Sequence, residues 1–442
     1  MTSQHAWDMS SSLGRMKIEE ETVSLDLPLT LDSSTAERYI EDLNRYQVED
    51  VGTSAWMEQH ARIEQLNIQA HQCALMNHDE FVVEGILTFR KLDSLIFDLL
   101  VIEAWKDFVF PLLKEQLAKN NSMRCYFILY HETTLMNLFE VLFFHKHVCE
   151  AAGEKLIEFV DYLARKLTKL NGGHDFRSLE PRESSAAGQA SALENRSPLE
   201  EMEYHYTDIE FKVCIAACSI LRFFCEHSDS LPLSVSSRIA DTHDFLMLVI
   251  PLIENPPWTR RINGKWQKLV DHKWVDVAPI DLLKVTKLEG QPWLSLYYLI
   301  AKKCFRERYS LTSFRKSQLL RVRKYLNEVL LDQLPFLADI QVSDCSTHST
   351  TIFLTFSSQR YMDELSIAEA PPSSSGASAF LFEQVAVERE RILKGKEWSK
   401  IADHQMKHTF TMTDRDDNDL RRLVDLYVDD KLTEIIEPTA KS

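Results

Sequence analysis

The feature that most constrains this chain is the spacing of its apolar residues. Leu156, Phe159, Val160, Leu163 and Leu167 recur at i, i+3, i+4, i+7 and i+11. That spacing lays one apolar stripe along a helix of 3.6 residues per turn. Comparable patterning runs from about residue 36 to 170, with Ser33, Ser34 and Thr35 as a helix start before Ala36. Gly153 separates the 156–167 stripe from an earlier helix bearing Leu135, Leu138 and Leu142, which reads as a helical hairpin. Only 11 Gly and 14 Pro occur in 442 residues. A sandwich or barrel needs more tight turns than these can supply.

The expected fold is therefore all-α, an armadillo-like helical stack with a small β-hairpin insertion and flexible linkers. Residues 1–30 are polar and Ser-rich and read as disordered. A helical block spans 31–170, and a Gly/Ser/Ala-rich linker spans 171–200. A second helical block covers 201–341. Within it, Trp266, Leu269, Trp274, Val275 and Val277 flank or follow an Asn263-Gly264 turn, so a hairpin is expected near 258–278. A Ser/Thr/Pro-rich linker at 342–378 precedes a helical segment at 379–438.

Charge and cysteine usage narrow the function class. The net charge of −17 repels phosphate backbones, so nucleic acid is not expected among the partners. Eight scattered cysteines lie mostly inside apolar runs and read as reduced thiols of the cytosol or nucleus. The longest apolar run, Phe245 to Ile253, is too short for a membrane span and is broken by Pro251. No phosphate-cradling glycine loop and no Gly-x-Ser-x-Gly elbow occurs.

Metal-type residues fare little better. His131-Glu132 lacks the second His at i+4 that a zinc-protease helix needs, because position 135 is Leu. Glu132 then reads as a solvated residue near a helix start. His145, His147 and Cys149 form a denser group, but helical spacing turns His145 and His147 apart, leaving a helix-end cluster. Cys214, Cys218 and Cys225 share a helical face with Leu221 and read as core. No cofactor is expected from these residues, and the chain reads as a binding protein rather than an enzyme.

Two segments are candidates for partner binding. Between Lys302 and Glu328, nine basic residues stand against Glu307 and Glu328, a local charge of +7. Arg321, Arg323 and Lys324 belong to it. It reads either as a solvated face opposite a stripe of Leu319, Val322, Leu326 and Val329, or as a docking patch for an acidic partner. Farther on, Trp398, Ile401 and His408 lie on one late helix, and Trp is favoured at binding hot spots.

Several longer segments carry a family resemblance. They are Trp56–Ala70, His131–Ala151 (HETTLMNLFEVLFFHKHVCEA), Glu254–Arg261 (ENPPWTRR), Lys287–Ile300 (KLEGQPWLSLYYLI), Leu311–Leu337 and Trp398–Phe410 (WSKIADHQMKHTF). In order and spacing they resemble the zinc finger MYND domain-containing protein 10 family of axonemal dynein assembly factors. The resemblance implies a cytoplasmic, co-chaperone-like scaffold for preassembling dynein arms of motile cilia, working near centriolar satellites or the ciliary base. Implied partners are a leucine-rich-repeat assembly factor, Hsp90-system chaperones, an FK506-binding prolyl isomerase and dynein chains. The family binds zinc through a C-terminal MYND finger. No Cys follows Cys345 here, so no such finger is expected in this chain. Read from the residues alone, the alternative is a generic armadillo-like interaction adaptor without a ciliary role.

Overall fold

In a computed structural model, the residues described are 31–120, 123–173, 176, 196–271, 273–306, 309, 312–339 and 385–410. The expected disordered segment at 1–30 and the linker at 342–378 lie outside them, as does most of the 171–200 linker.

Helices dominate, as their apolar spacing requires. The first block comprises α1 (Ser33–Glu41), α2 (Ser54–Met76), α3 (Phe81–Thr88), α4 (Leu92–Ala104), α5 (Phe110–Asn120), α6 (Met123–Phe144), α7 (Lys146–Ala152) and α8 (Leu156–Gly172). The cap of α1 is Asp32, one residue before the expected start. Its carboxylate accepts from the Thr35 N–H at 2.9 Å. Gly153, with φ +52°, does lie before α8. The helix carrying Leu135, Leu138 and Leu142 nonetheless ends earlier, at Phe144, and short α7 intervenes. The expected two-helix hairpin is thus interrupted, because His145 adopts an extended backbone and starts a new helix.

α4 and α5 are joined without a break by a π-turn at Trp105–Val109. The extra residue in such a turn rotates the helix face. Here it buries Trp105, Lys106 and Val109 together.

The second block holds α9 (Pro198–Glu226), α10 (Leu233–Ser237), α11 (Phe245–Glu254), α12 (Lys287–Ala301), α13 (Lys303–Arg306), α14 (Ser313–Val322) and α15 (Glu328–Gln333). α9 opens with a capping box in which Ser197 and Glu200 bond each other's backbone, with Pro198 at the first helical position. α6 packs between α2 and α9, and α9 packs in turn on α8 and α12. The core along this layer includes Phe139, Phe143, Phe159 and Phe224, whose rings meet edge-on at 4.8–5.8 Å apart, apart from the stacked Phe139–Phe143 pair. Cys214, Cys218 and Cys225 are buried in it, as expected.

The β insertion is larger than a hairpin. β1 (Thr259–Ile262), β2 (Lys265–Val270) and β3 (Lys273–Val277) form a three-stranded antiparallel meander in the order β1-β2-β3. Asn263 and Gly264 both take positive φ, at 53° and 80°, the two-residue turn that Asn-Gly favours. A second turn at Asp271, φ 45°, adds β3. The last described elements are α16 (Glu388–Leu393) and α17 (Trp398–His408).

Candidate functional site

A buried network of charges lies at the junction of the π-turn, α6, α8 and α9. Glu132 is not a solvated residue near a helix start. It stands in the middle of α6 and is fully buried. Its carboxylate meets Lys106 Nζ at 2.5 Å and Lys166 Nζ at 2.7 Å, and accepts from the Tyr162 hydroxyl at 2.7 Å. Glu210 on α9 pairs with Lys106, with Lys166 at 3.4 Å and with Lys169 at 2.6 Å.

Burial alone would lift the Glu210 pKa, but Lys106, Lys166 and Lys169 hold it well below the ordinary carboxylate range. Burial would likewise lower Lys106 and Lys166, and Glu132 and Glu210 overcome that, raising both. The network leaves no charge without an opposite partner and joins four elements. Sequence reasoning passed over it, although one signal was present: Lys106 directly follows Leu99–Trp105, where Glu103 is the single charge. A charge that such a run carries into the core is almost never left without a partner.

A second buried polar group lies between α2, α4 and α6. His131 Nε2 sits 3.2 Å from Asp98 Oδ2, and His131 Nδ1 sits 2.8 Å from His60 Nδ1. If His131 donates to Asp98, its Nδ1 must accept from His60, leaving His60 Nε2 as an acceptor. That Nε2 has no hydrogen-bond partner. Trp56 stacks on His60 with ring centroids 5.7 Å apart. Burial first, and then His131, pushes the His60 pKa well below its usual value.

The segment 385–410 returns to the first block and straps across it. Glu158 Oε1 accepts from the N–H groups of Val387 and Glu388 at 2.5 and 2.8 Å, capping α16. Arg389 reaches Glu103 at 3.1 Å and Asp107 at 3.0 Å, and Lys396 reaches Glu49 at 2.6 Å. Gln405 is fully buried. Its Oε1 accepts from Trp105 Nε1 at 2.8 Å, while its Nε2 donates to the carbonyls of Val48 and Glu49 at 2.9 and 3.2 Å.

The partner-binding candidates on this strap divide. Trp398 stacks on Phe108 at 4.8 Å and Ile401 is buried, so both face the chain itself. His408 is exposed, with its ring 4.5 Å from that of His404. Two imidazoles fall short of the roughly four ligands a structural zinc takes. Residues 398–408 thus do not fit a zinc finger.

The basic segment is also reshaped. The helix breaks after Val322, and Asn327 caps a new one by accepting from the Leu330 N–H at 2.9 Å. The expected stripe is therefore lost beyond Val322: Leu330 is buried, while Val329 is 43% exposed. Arg321 pairs with Glu254 at 2.7 Å, Lys324 with the same carboxylate at 3.7 Å, and Arg323 is exposed beside them. Arg315 pairs with Asp244 and Lys302 with Asp229. Part of the apparent local excess of charge is met by acids distant in sequence.

His145 and His147 do not face apart, because His145 precedes α7 rather than lying in it. Their rings are 5.4 Å apart, and His145 Nε2 pairs with Glu80 at 2.9 Å. Among the described residues, no group of three or more His, Cys, Asp or Glu side chains could hold a metal ion. No described helix is long and apolar enough to cross a membrane.

No protein-family model matches the chain, and no solved structure matches it. Among curated proteins it is similar to the zinc finger MYND domain-containing protein 10 homolog of Drosophila melanogaster, at 28% identity over 305 residues. The match takes in 69% of this chain and 66% of the relative, just under two thirds of that protein's length. A likeness of this extent gives the chain a family-level resemblance to zinc finger MYND domain-containing protein 10.

Proposed function

We propose that the chain is a non-enzymatic protein scaffold that holds dynein chains and chaperones together during cytoplasmic preassembly of axonemal dynein arms. The observation that supports this reading is the likeness over 305 residues to a protein named zinc finger MYND domain-containing protein 10 homolog. The geometry agrees with a binding role. In the buried cluster of Lys106, Glu132, Lys166, Lys169 and Glu210 every charge has an opposite partner, which suits a framework better than acid–base chemistry.

The outer faces are where partners would dock. Ile280 is 85% exposed and Leu283 55% exposed. Leu283 stands next to Val329, because Gln333 Nε2 donates to the carbonyls of both at 2.9 and 2.8 Å. Leucine-rich-repeat, Hsp90-system and FK506-binding partners belong to the same proposal, as does a role near the ciliary base.

Removing the gene from a multiciliated cell tests it. Electron microscopy of axonemes is expected to show missing outer and inner arms, restored by re-expression. Intact arms and normal beating would overturn the proposal.

A further inference from the structure

A cavity of about 380 Å³ opens between α6, α9, the β2–β3 turn and the start of α12. α6 lends it Thr133, Asn137 and Glu140, spaced to share one helical face. Ile215 and Ala216 of α9, with Leu269 and Leu288, supply apolar wall.

Two polar features of the wall are unfinished. Thr133 is 4% exposed and its hydroxyl has no hydrogen-bond partner, a state that buried polar groups rarely tolerate. Glu140 has the Ser219 hydroxyl, but the cation acting on it, Arg222, already gives its guanidinium to Glu226 and Gln291. The other charges of the lining are Lys212, Lys287 and Asp271, and the first is held by an acid outside the lining. Lys212 pairs with Asp208 at 3.2 Å, and Lys287 and Asp271 are of opposite sign. One negative charge, that of Glu140, is left over.

We propose that this cavity binds an alkylguanidinium or alkylammonium group, the end of an arginine or lysine side chain or a free small cation of that shape. The charge would rest on Glu140. The N–H groups would donate to the Thr133 hydroxyl and the Asn137 side chain, and the methylenes would lie along Ile215, Ala216, Leu269 and Leu288. The volume is that of a small-ligand site and far exceeds one water. Burial raises the Glu140 pKa, and a bound cation would relieve that strain by favouring the carboxylate. The net charge of −17 draws cations toward the chain at long range.

Isothermal titration calorimetry on the full chain tests the site with three probes: agmatine, N-acetyl-arginine-N-methylamide and neutral butylurea. The expected result is saturable one-to-one binding of at least one cation and none of butylurea. Glu140→Gln, which keeps the shape and removes the charge, is expected to weaken binding at least tenfold. Ala216→Leu, which fills the cavity, is expected to do the same and carries the test if the first variant misfolds by circular dichroism. Binding of agmatine alone would assign a free small cation, and binding of the blocked arginine would assign a partner's side chain. Heat from neither cation, equal binding of butylurea, or unweakened binding by a folded variant would overturn the proposal.

Discussion

Replacing Glu132 by Ala should be among the most damaging single substitutions in this protein. The carboxylate holds two ammonium groups at 2.5 and 2.7 Å and a tyrosine hydroxyl at 2.7 Å, all buried. Within the network three lysines face two glutamates; without Glu132 they would face Glu210 alone. Removing one member of a buried ion pair costs about 3–5 kcal/mol, because the abandoned charge stays out of water. Glu210 still touches both lysines, which keeps the loss within that range rather than doubling it. Against a total stability of about 5–15 kcal/mol, this is a large fraction.

Equilibrium urea unfolding, followed by far-ultraviolet circular dichroism, measures the loss. A second variant separates charge from packing. Glu132→Leu combined with Lys166→Met removes one charge of each sign, and it should recover at least ~1 kcal/mol relative to Glu132→Leu alone. A loss below ~1 kcal/mol for Glu132→Ala, or no recovery in the pair, would refute the claim that these charges are buried and mutually dependent.

Other consequences follow from the same structure. His60 is held neutral when folded, so its contribution to stability is fully present above the unfolded pKa of about 6.5 and is lost as pH falls below it. Stability should therefore fall between pH 7 and pH 5, and His60→Gln should remove that part of the fall from the pH profile of urea midpoints; an unchanged profile would exclude His60 as the source. Gln405→Leu leaves the Trp105 indole N–H and two carbonyls unpaired, at about 1–3 kcal/mol. Hydrogen exchange across residues 385–410 should quicken while α6 and α9 stay protected, and uniform protection would contradict the strap contact. Gly52→Ala places a Cβ 2.7 Å from Ile128 and 3.0 Å from Thr409 on a backbone with φ +83°. The left-handed backbone alone costs about 1–2 kcal/mol, so melting should fall and the strap should become more sensitive to protease; a wild-type melting curve would rule the clash out.

Much of the fold was legible in the sequence, and the limit was range. Helix spacing and the Asn263-Gly264 turn are local, because each is set by residues within a turn or two of one another. The mainly helical class with a small β insertion followed from them. Of the candidate site residues, the basic character of 302–328 could be read from the chain, but the pairing of part of it with Glu254, Asp244 and Asp229 could not.

Tertiary structure alone decided which polar residues were buried and with whom. Lys106 and Glu132 are 26 residues apart, and Gln405 lies 300 residues from Trp105. A lysine in an apolar run does not say which distant carboxylate will hold it. Only packing removes the water, and the low dielectric that results makes the distant partner obligatory. The sequence therefore determined where helices form, while the fold determined that Glu132 is a buried anchor and that Trp398 stacks on its own chain.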